Sequence, residues 1–295
     1  MSPRPLGSRY GRTVRLRQKR WFRVVEGPGR DRARRGRFRG RRRGARVRRG
    51  GGRLFLTGRR EGRLAAVAED VGRLGGPEAR IARLDITDPE EVERHADSVV
   101  SEAGRVDVVF NAVSYGDVQG APLERMPFDR FSAPVTTALA AQFHPVRAAA
   151  RHMVERGSGV VLTVVGHGPP SPELGGTRVA WETVEAMYRQ WACELGPRGV
   201  RVAWLRTGGF AESVAGADAY GEDLKVIVEG REVPLSSRSD EATTERELEE
   251  LARSTVLGAL PTLADAGNAA AFLASDRARH VSGAALNLTA GAVID

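Results

Sequence analysis

Residues 175–209, GGTRVAWETVEAMYRQWACELGPRGVRVAWLRTGG, decide the fold. Val184, Met187, Tyr188, Trp191 and Leu195 recur at i, i+3, i+4, i+7 and i+11, which puts them on one side of a helix. Gly196, Pro197 and Gly199 stop that helix, because glycine accepts a left-handed cap and proline has no N–H to continue the ladder. Val200 to Leu205 resume as a strand. A helix delivered directly into a strand is the traffic of layered α/β proteins.

Working outward, the same alternation repeats. Leu54, Phe55 and Leu56 make a short buried strand, and Thr57 to Arg60 turn it into a helix with Leu64, Val67, Ala68 and Val71 on one side. ARIARL, 79–84, is the next strand. Asp88 then caps a helix whose first turn holds Pro89, Glu90 and Glu91 near the positive end of the dipole. VDVVF, 106–110, is a nearly continuous apolar run, as a central parallel strand is. A helix from Phe128 to Met153, broken near Pro134 and Pro145, leads to the strand GVVLTVV, 159–165. PTLADAGNAAAFLAS, 261–275, reads as a capped helix with Asp265 near its start, and 281–293 as the last strand. The expected fold is α/β, a doubly wound parallel sheet. Residues 210–256 are charged and irregular, the character of a lid over a substrate.

The bulk properties narrow the classes. A chain of 295 residues, 41% hydrophobic, can bury the core of one large domain, assigned to 53–295. It has no apolar run long enough for a membrane span. Its one cysteine, Cys193, fits a reducing, cytoplasmic setting, and the five histidines never stand at metal-ligand spacing, so no metal is expected. The charge of +9 is divided: residues 1–53 hold 21 Arg or Lys against Glu26 and Asp31, and the rest holds 25 basic against 35 acidic residues. The Arg/Gly-rich segment 1–52 has almost nothing to bury and is expected to be disordered. As an arm for nucleic acid it would use Tyr10, Trp21, Phe22 and Phe38 for stacking, and this is the one route to nucleic acid in the chain. A targeting peptide would want more serine.

The words ELGPRGVRV and LRTGG, with the collinear order of elements over 53–295, resemble the short-chain dehydrogenase/reductase family. The resemblance implies a Rossmann-like sheet, NADP or NAD as cofactor, and hydride exchange with a small-molecule substrate. The family's first strand enters a glycine-rich turn that cradles the pyrophosphate at a helix N-terminus. Trp21 to Glu26 is the candidate strand and Gly27-Pro28-Gly29 a fragment of the turn. Asp31 and Ala33 then stand where further glycines belong, and no apolar helix face follows. That gives the basic segment a third reading, an out-of-frame translation of a GC-rich gene replacing the first βα unit.

The cofactor residues implied are Gly58 and Arg59, with Arg60 behind it, at the 2′-phosphate of NADP; Asp85 and Ile86 at the adenine; Asn111, Ala112 and Val113 where the family writes Asn-Asn-Ala-Gly; and Thr207 and Gly208 near the nicotinamide. Both arginines could equally be solvated loop charges. No catalytic residue carries over. The family's Asn, Ser, Tyr and Lys fall on Ala138, Gly166 (or Val165, if the register slips by one), Thr177 and Trp181, and the chain's only lysines, Lys19 and Lys225, never lie four residues after a tyrosine. His167 is either a substitute acid or an ordinary loop histidine. Two functions follow: an NAD(P)-linked oxidoreductase without the standard proton transfer, or a non-catalytic nucleotide-binding or scaffold protein. A third, RNA interaction, rests on the basic segment alone. Relatives often pair through the 184–195 helix, so a homo-oligomer is expected there.

Overall fold

The computed structural model describes residues 23–25, 53–73, 76, 78–215, 225–228, 231–234 and 241–294. Its elements are β1 (Arg23–Val25), β2 (Leu54–Gly58), α1 (Glu61–Arg73), β3 (Ala79–Arg83), α2 (Pro89–Ala103), β4 (Val108–Asn111), β5 (Val118–Gln119) and α3 (Phe128–Arg156). There follow β6 (Gly159–Gly166), α4 (Gly175–Leu195), β7 (Val200–Thr207), α5 (Ala211–Ala215), β8 (Lys225–Val228), β9 (Arg231–Pro234), α6 (Glu241–Arg253), α7 (Leu263–Ala274) and β10 (Ala284–Asn287).

Among the described residues the main sheet has seven strands in the order β10-β7-β6-β4-β1-β2-β3. All run parallel except β1, which is antiparallel to both β2 and β4, with Val24 opposite Phe55 and Val109. β1 thus stands in the slot expected of the first strand but runs in the opposite direction. Parallel pairing of neighbouring strands requires a crossover, normally a helix, whereas antiparallel pairing does not. The Arg/Gly sequence after β1 offers no amphipathic helix to make that crossover. The carboxyl end of β1 thus lies at the sheet edge opposite the carboxyl ends of the other strands. Residues 27–52, including the proposed turn fragment and the frame question, lie outside the described residues.

The apolar stripe of α4 is spent on the chain's own core. Val184 and Tyr188 are fully buried with Ala138, Val146 and Met153 of α3 and with Val161 and Trp204 of the sheet. On the opposite face, Leu162 and Leu205 meet Leu273 of α7. Leu54 and Leu56 pack on Leu64, Val67 and Val71 of α1. The exit from α4 requires its glycine twice over: Gly199 has φ +82°, and a Cβ there would collide with the Gly157 carbonyl oxygen. The caps follow the sequence. Asp88 accepts from the Glu90 and Glu91 amides at 2.9 and 3.0 Å, and Thr262 and Asp265 form a capping box at α7.

Three expectations need correction. The helix over 128–156 is continuous through Pro134 and Pro145, since packing against α4 and the sheet offsets the ladder bond each proline removes. The described residues within 210–256 are mostly regular: they include α5, β8, β9 and α6, and β8 pairs antiparallel with β9 and parallel with β5 in a second sheet. The β-branched run Val226-Ile227-Val228 is the local cause. The last strand stops at Asn287, because Ala290 (φ 54°) and Gly291 (φ 83°) turn the chain and the Asn287 side chain ties Thr289 and Val293 into that turn.

Candidate functional site

The carboxyl ends of β6, β7 and β10 converge on one cavity of about 170 Å³. β6 ends at Gly166, and the His167 amide donates to the Thr207 carbonyl at 2.8 Å, extending the ladder by one residue. β7 ends in a tight turn in which the Gly209 amide donates to the Thr207 hydroxyl at 3.0 Å. His167 and Trp181 line the cavity on one side, and Leu251, Ser254, Thr255 and Thr289 on the other. The hydroxyls there are engaged locally. Ser254 donates to the Leu251 carbonyl at 2.7 Å, Thr255 to Ala252 at 2.8 Å, and Thr289 to the Asn287 side chain at 2.7 Å.

Behind His167 sits an ionic cluster. The Glu185 side chain is 2% exposed and accepts Arg206 through Nε and Nη2, both at 2.6 Å, and Arg189 Nη2 at 2.7 Å. The His167 Nδ1 lies 3.8 Å from Glu185 Oε1. Burial pushes the Glu185 carboxyl up, but the Arg206 fork, Arg189 and His167 together outweigh it and hold it below the usual glutamate range. Arg189 also lies 5.4 Å above the Trp204 ring.

The four positions matched to the family's chemical residues are close-packed. A Cβ on Gly166 would collide with the Trp181 indole, lying 2.6 Å from its Nε1. Thr177 and Ala138 are fully buried. Thr177 neighbours Asp117, whose carboxyl is pushed up to about 6 by burial, against the opposing pull of the Thr177 hydroxyl.

The cofactor candidates lie along the same sheet edge. Gly58 closes β2, and a Cβ there would only touch Leu64 at 3.5 Å. Asp85 accepts from the Thr87 amide and hydroxyl at 2.9 and 2.7 Å; these bonds hold its carboxyl below the usual range, and the charge of Arg59 adds to them. The structure thus brings Arg59 and Asp85 together, with Ile86 half-buried beside them. Asn111 is 1% exposed and its side chain turns inward, donating to Gln142 Oε1 at 3.0 Å and Tyr188 Oη at 3.2 Å. Ala112 and Val113 follow, half-buried, with Val113 packed on the core. At Gly208 an added Cβ would find nothing nearer than the His167 carbonyl at 3.8 Å, so the turn with Thr207 presents open backbone. These residues fit a dinucleotide at its two ends, a cation and an acid at the adenosine side and an unobstructed turn at the other. Glu185, Arg206 and Gln142 escaped the sequence reading; an acid wedged beside Val184 in an apolar stripe was the available signal.

A family model described as enoyl-(acyl carrier protein) reductase, of the short-chain dehydrogenase/reductase type, matches residues 40–229. The chain belongs to this family. Among curated short-chain dehydrogenases/reductases it is 28% identical over 229 residues to 7α-hydroxysteroid dehydrogenase of Escherichia coli (strain K12), covering 77% of this chain and 79% of that one. It is 29% identical over 246 residues to L-rhamnose 1-dehydrogenase (NAD(P)(+)) of Azotobacter vinelandii, covering 81% and 85%. The fold of the family is shared with a gluconate 5-dehydrogenase from Burkholderia cenocepacia solved with NADP and tartrate (TM-score 0.63, 21% identity, 81% and 84% covered). It is shared too with the NADPH-dependent reductase YwfH (TM-score 0.66, 17% identity, 82% and 88% covered). Among the described residues no helix is long and apolar enough to cross a membrane, and no cluster of ligating side chains could hold a metal ion.

Proposed function

We propose that this protein is an NAD(P)-dependent oxidoreductase of the short-chain type that works without the tyrosine–lysine relay of its family, in the cavity at the ends of β6, β7 and β10. The observation that carries this reading is the contact of Trp181 with Gly166. The indole at one position where the resemblance expects a titrating side chain fills the space over Gly166, where it expects a hydroxyl, while the cavity beside it stays open. Arg59 would hold a 2′-phosphate, which favours NADP, with Asp85 on the adenosine. Thr207 and Gly208 would border the reactive end. A bound nicotinamide dinucleotide supplies hydride; the chain supplies orientation, a largely apolar chamber and proton traffic.

The test is a fluorescence titration of the full chain with NADPH, then turnover with panels of carbonyl compounds and alcohols. Tight NADPH binding, weakened at least tenfold by Arg59→Ala, and measurable hydride transfer are expected. Binding without turnover would replace the enzyme reading by a nucleotide-binding protein, and absence of binding would overturn both.

A further inference from the structure

We propose that His167 is the catalytic proton donor of the cavity and that the substrate is a small uncharged carbonyl compound, an inference that rests on the oxidoreductase reading above. Among the described residues lining the cavity, His167 is the one titratable side chain. Around it stand Pro169, Leu174, Trp181, Leu251, Leu260 and Val293, and the three hydroxyls are tied to their own turns. Apart from the His167 proton, which the reaction consumes, nothing in such a lining would balance a charged substrate. The volume sets the size: cavities of about 150 Å³ take up a benzene ring, and this one is about 170 Å³.

The placement suits proton transfer. The His167 backbone is pinned by its bond to Thr207, so the ring cannot drift with a loose loop. Its Nδ1 faces the buried Glu185 carboxylate, which favours a proton on that nitrogen and leaves Nε2 as the atom that exchanges with the cavity. The other charges facing the pair are Arg206 and Arg189, and both are bonded to Glu185. In the step, hydride from a reduced nicotinamide dinucleotide forms the new C–H bond at the carbonyl carbon and the C=O π bond breaks. The Nε2–H bond of the imidazolium breaks as its proton forms the alcohol O–H. The carbonyl is reduced, the nicotinamide oxidised, and neutral His167 regains its proton from water.

Cyclohexanone is the probe, used with the full chain. The imidazole ¹H–¹³C peak of His167, assigned by its loss in His167→Gln, shifts saturably on adding cyclohexanone without cofactor. With NADPH, His167→Gln lowers kcat about 100-fold or more and leaves KM within about threefold. A wild-type enzyme that reduces cyclohexanone while His167→Gln does so equally well would overturn the assignment and leave the oxidoreductase reading standing. A His167 peak indifferent to cyclohexanone overturns the substrate site. A wild-type protein that transfers no hydride to any carbonyl overturns the parent reading, and the donor role with it.

Discussion

Gly166 and Trp181 are a matched pair: the indole of Trp181 lies where any side chain on residue 166 would begin. Residue 166 has no room for a side chain beside this tryptophan, so the identities of the two positions are coupled. Gly166→Ala should then overpack the site and destabilise the fold by about 1–3 kcal/mol. In a Trp181→Ala background the same change should cost less than about 0.5 kcal/mol, because contacting residues couple. Urea unfolding of the four members of the cycle measures the coupling, and simple additivity would mean that another contact demands glycine at 166.

Arg206 and Glu185 form a two-bond buried ion pair behind the cavity. Arg206→Met leaves a carboxylate that is 2% exposed with only Arg189 and His167 nearby, and should destabilise the protein by about 3 kcal/mol at pH 7. The sign of the pH effect follows from the lowered carboxyl: its stabilisation is present above the ordinary glutamate range and is lost as pH falls through the depressed folded value. The gap between variant and wild type should therefore narrow as pH is taken below the ordinary glutamate range, to about pH 3, in parallel urea titrations. A gap that widens in acid would show that Arg206 acts through packing instead.

What was legible in the sequence and what was not divides by range. The stripe of Val184, Tyr188 and Leu195, the cap at Asp88 and the break at Gly199 are local patterns, and each stands where periodicity and capping chemistry put it. The direction of β1 is not local, because Arg-Val-Val pairs equally well either way and only the connection that follows would choose. Pro134 and Pro145 read as breaks because the support of α4 and the sheet is invisible along the chain. Arg59 and Asp85 are named one by one through resemblance and their proximity emerges only in the fold, just as the joining of Glu185 to Arg206 depends on how β7 is registered under α4.

Asp117 makes a prediction of the opposite sign. Its carboxyl is raised to about 6 by burial, so the folded state holds a proton more tightly than the unfolded chain does. Stability from this group is complete below the ordinary aspartate range and is lost as pH rises through about 6. At pH 8 Asp117→Asn should thus be more stable than wild type by about 2–3 kcal/mol, with the advantage gone by pH 3.5. Thermal melts across that range decide it; an asparagine variant that is less stable at pH 8 would show the carboxylate to be compensated.

The centre of the core is held by polar groups, and this is where deletion should be felt most. Tyr188 donates to Gln142 Oε1 at 2.7 Å, and Gln142 Nε2 donates to Tyr115 Oη and Thr163 Oγ1, both at 3.0 Å. Thr163 in turn donates to the Asn111 carbonyl at 2.9 Å. Burial pushes both phenols far above their usual range, so they are neutral and serve as hydrogen-bonding groups, not acids. Tyr188→Phe removes one donor and one acceptor and should destabilise by about 1–2 kcal/mol. Gln142→Leu strands partners on four residues at once and should exceed about 3 kcal/mol. In the double variant much of the damage is already done, so the combined loss should fall short of the sum. Urea midpoints with an unchanged m-value test this. If Gln142→Leu cost less than about 1 kcal/mol, the register of α3 against β4 and β6 would have to be maintained by the apolar contacts alone.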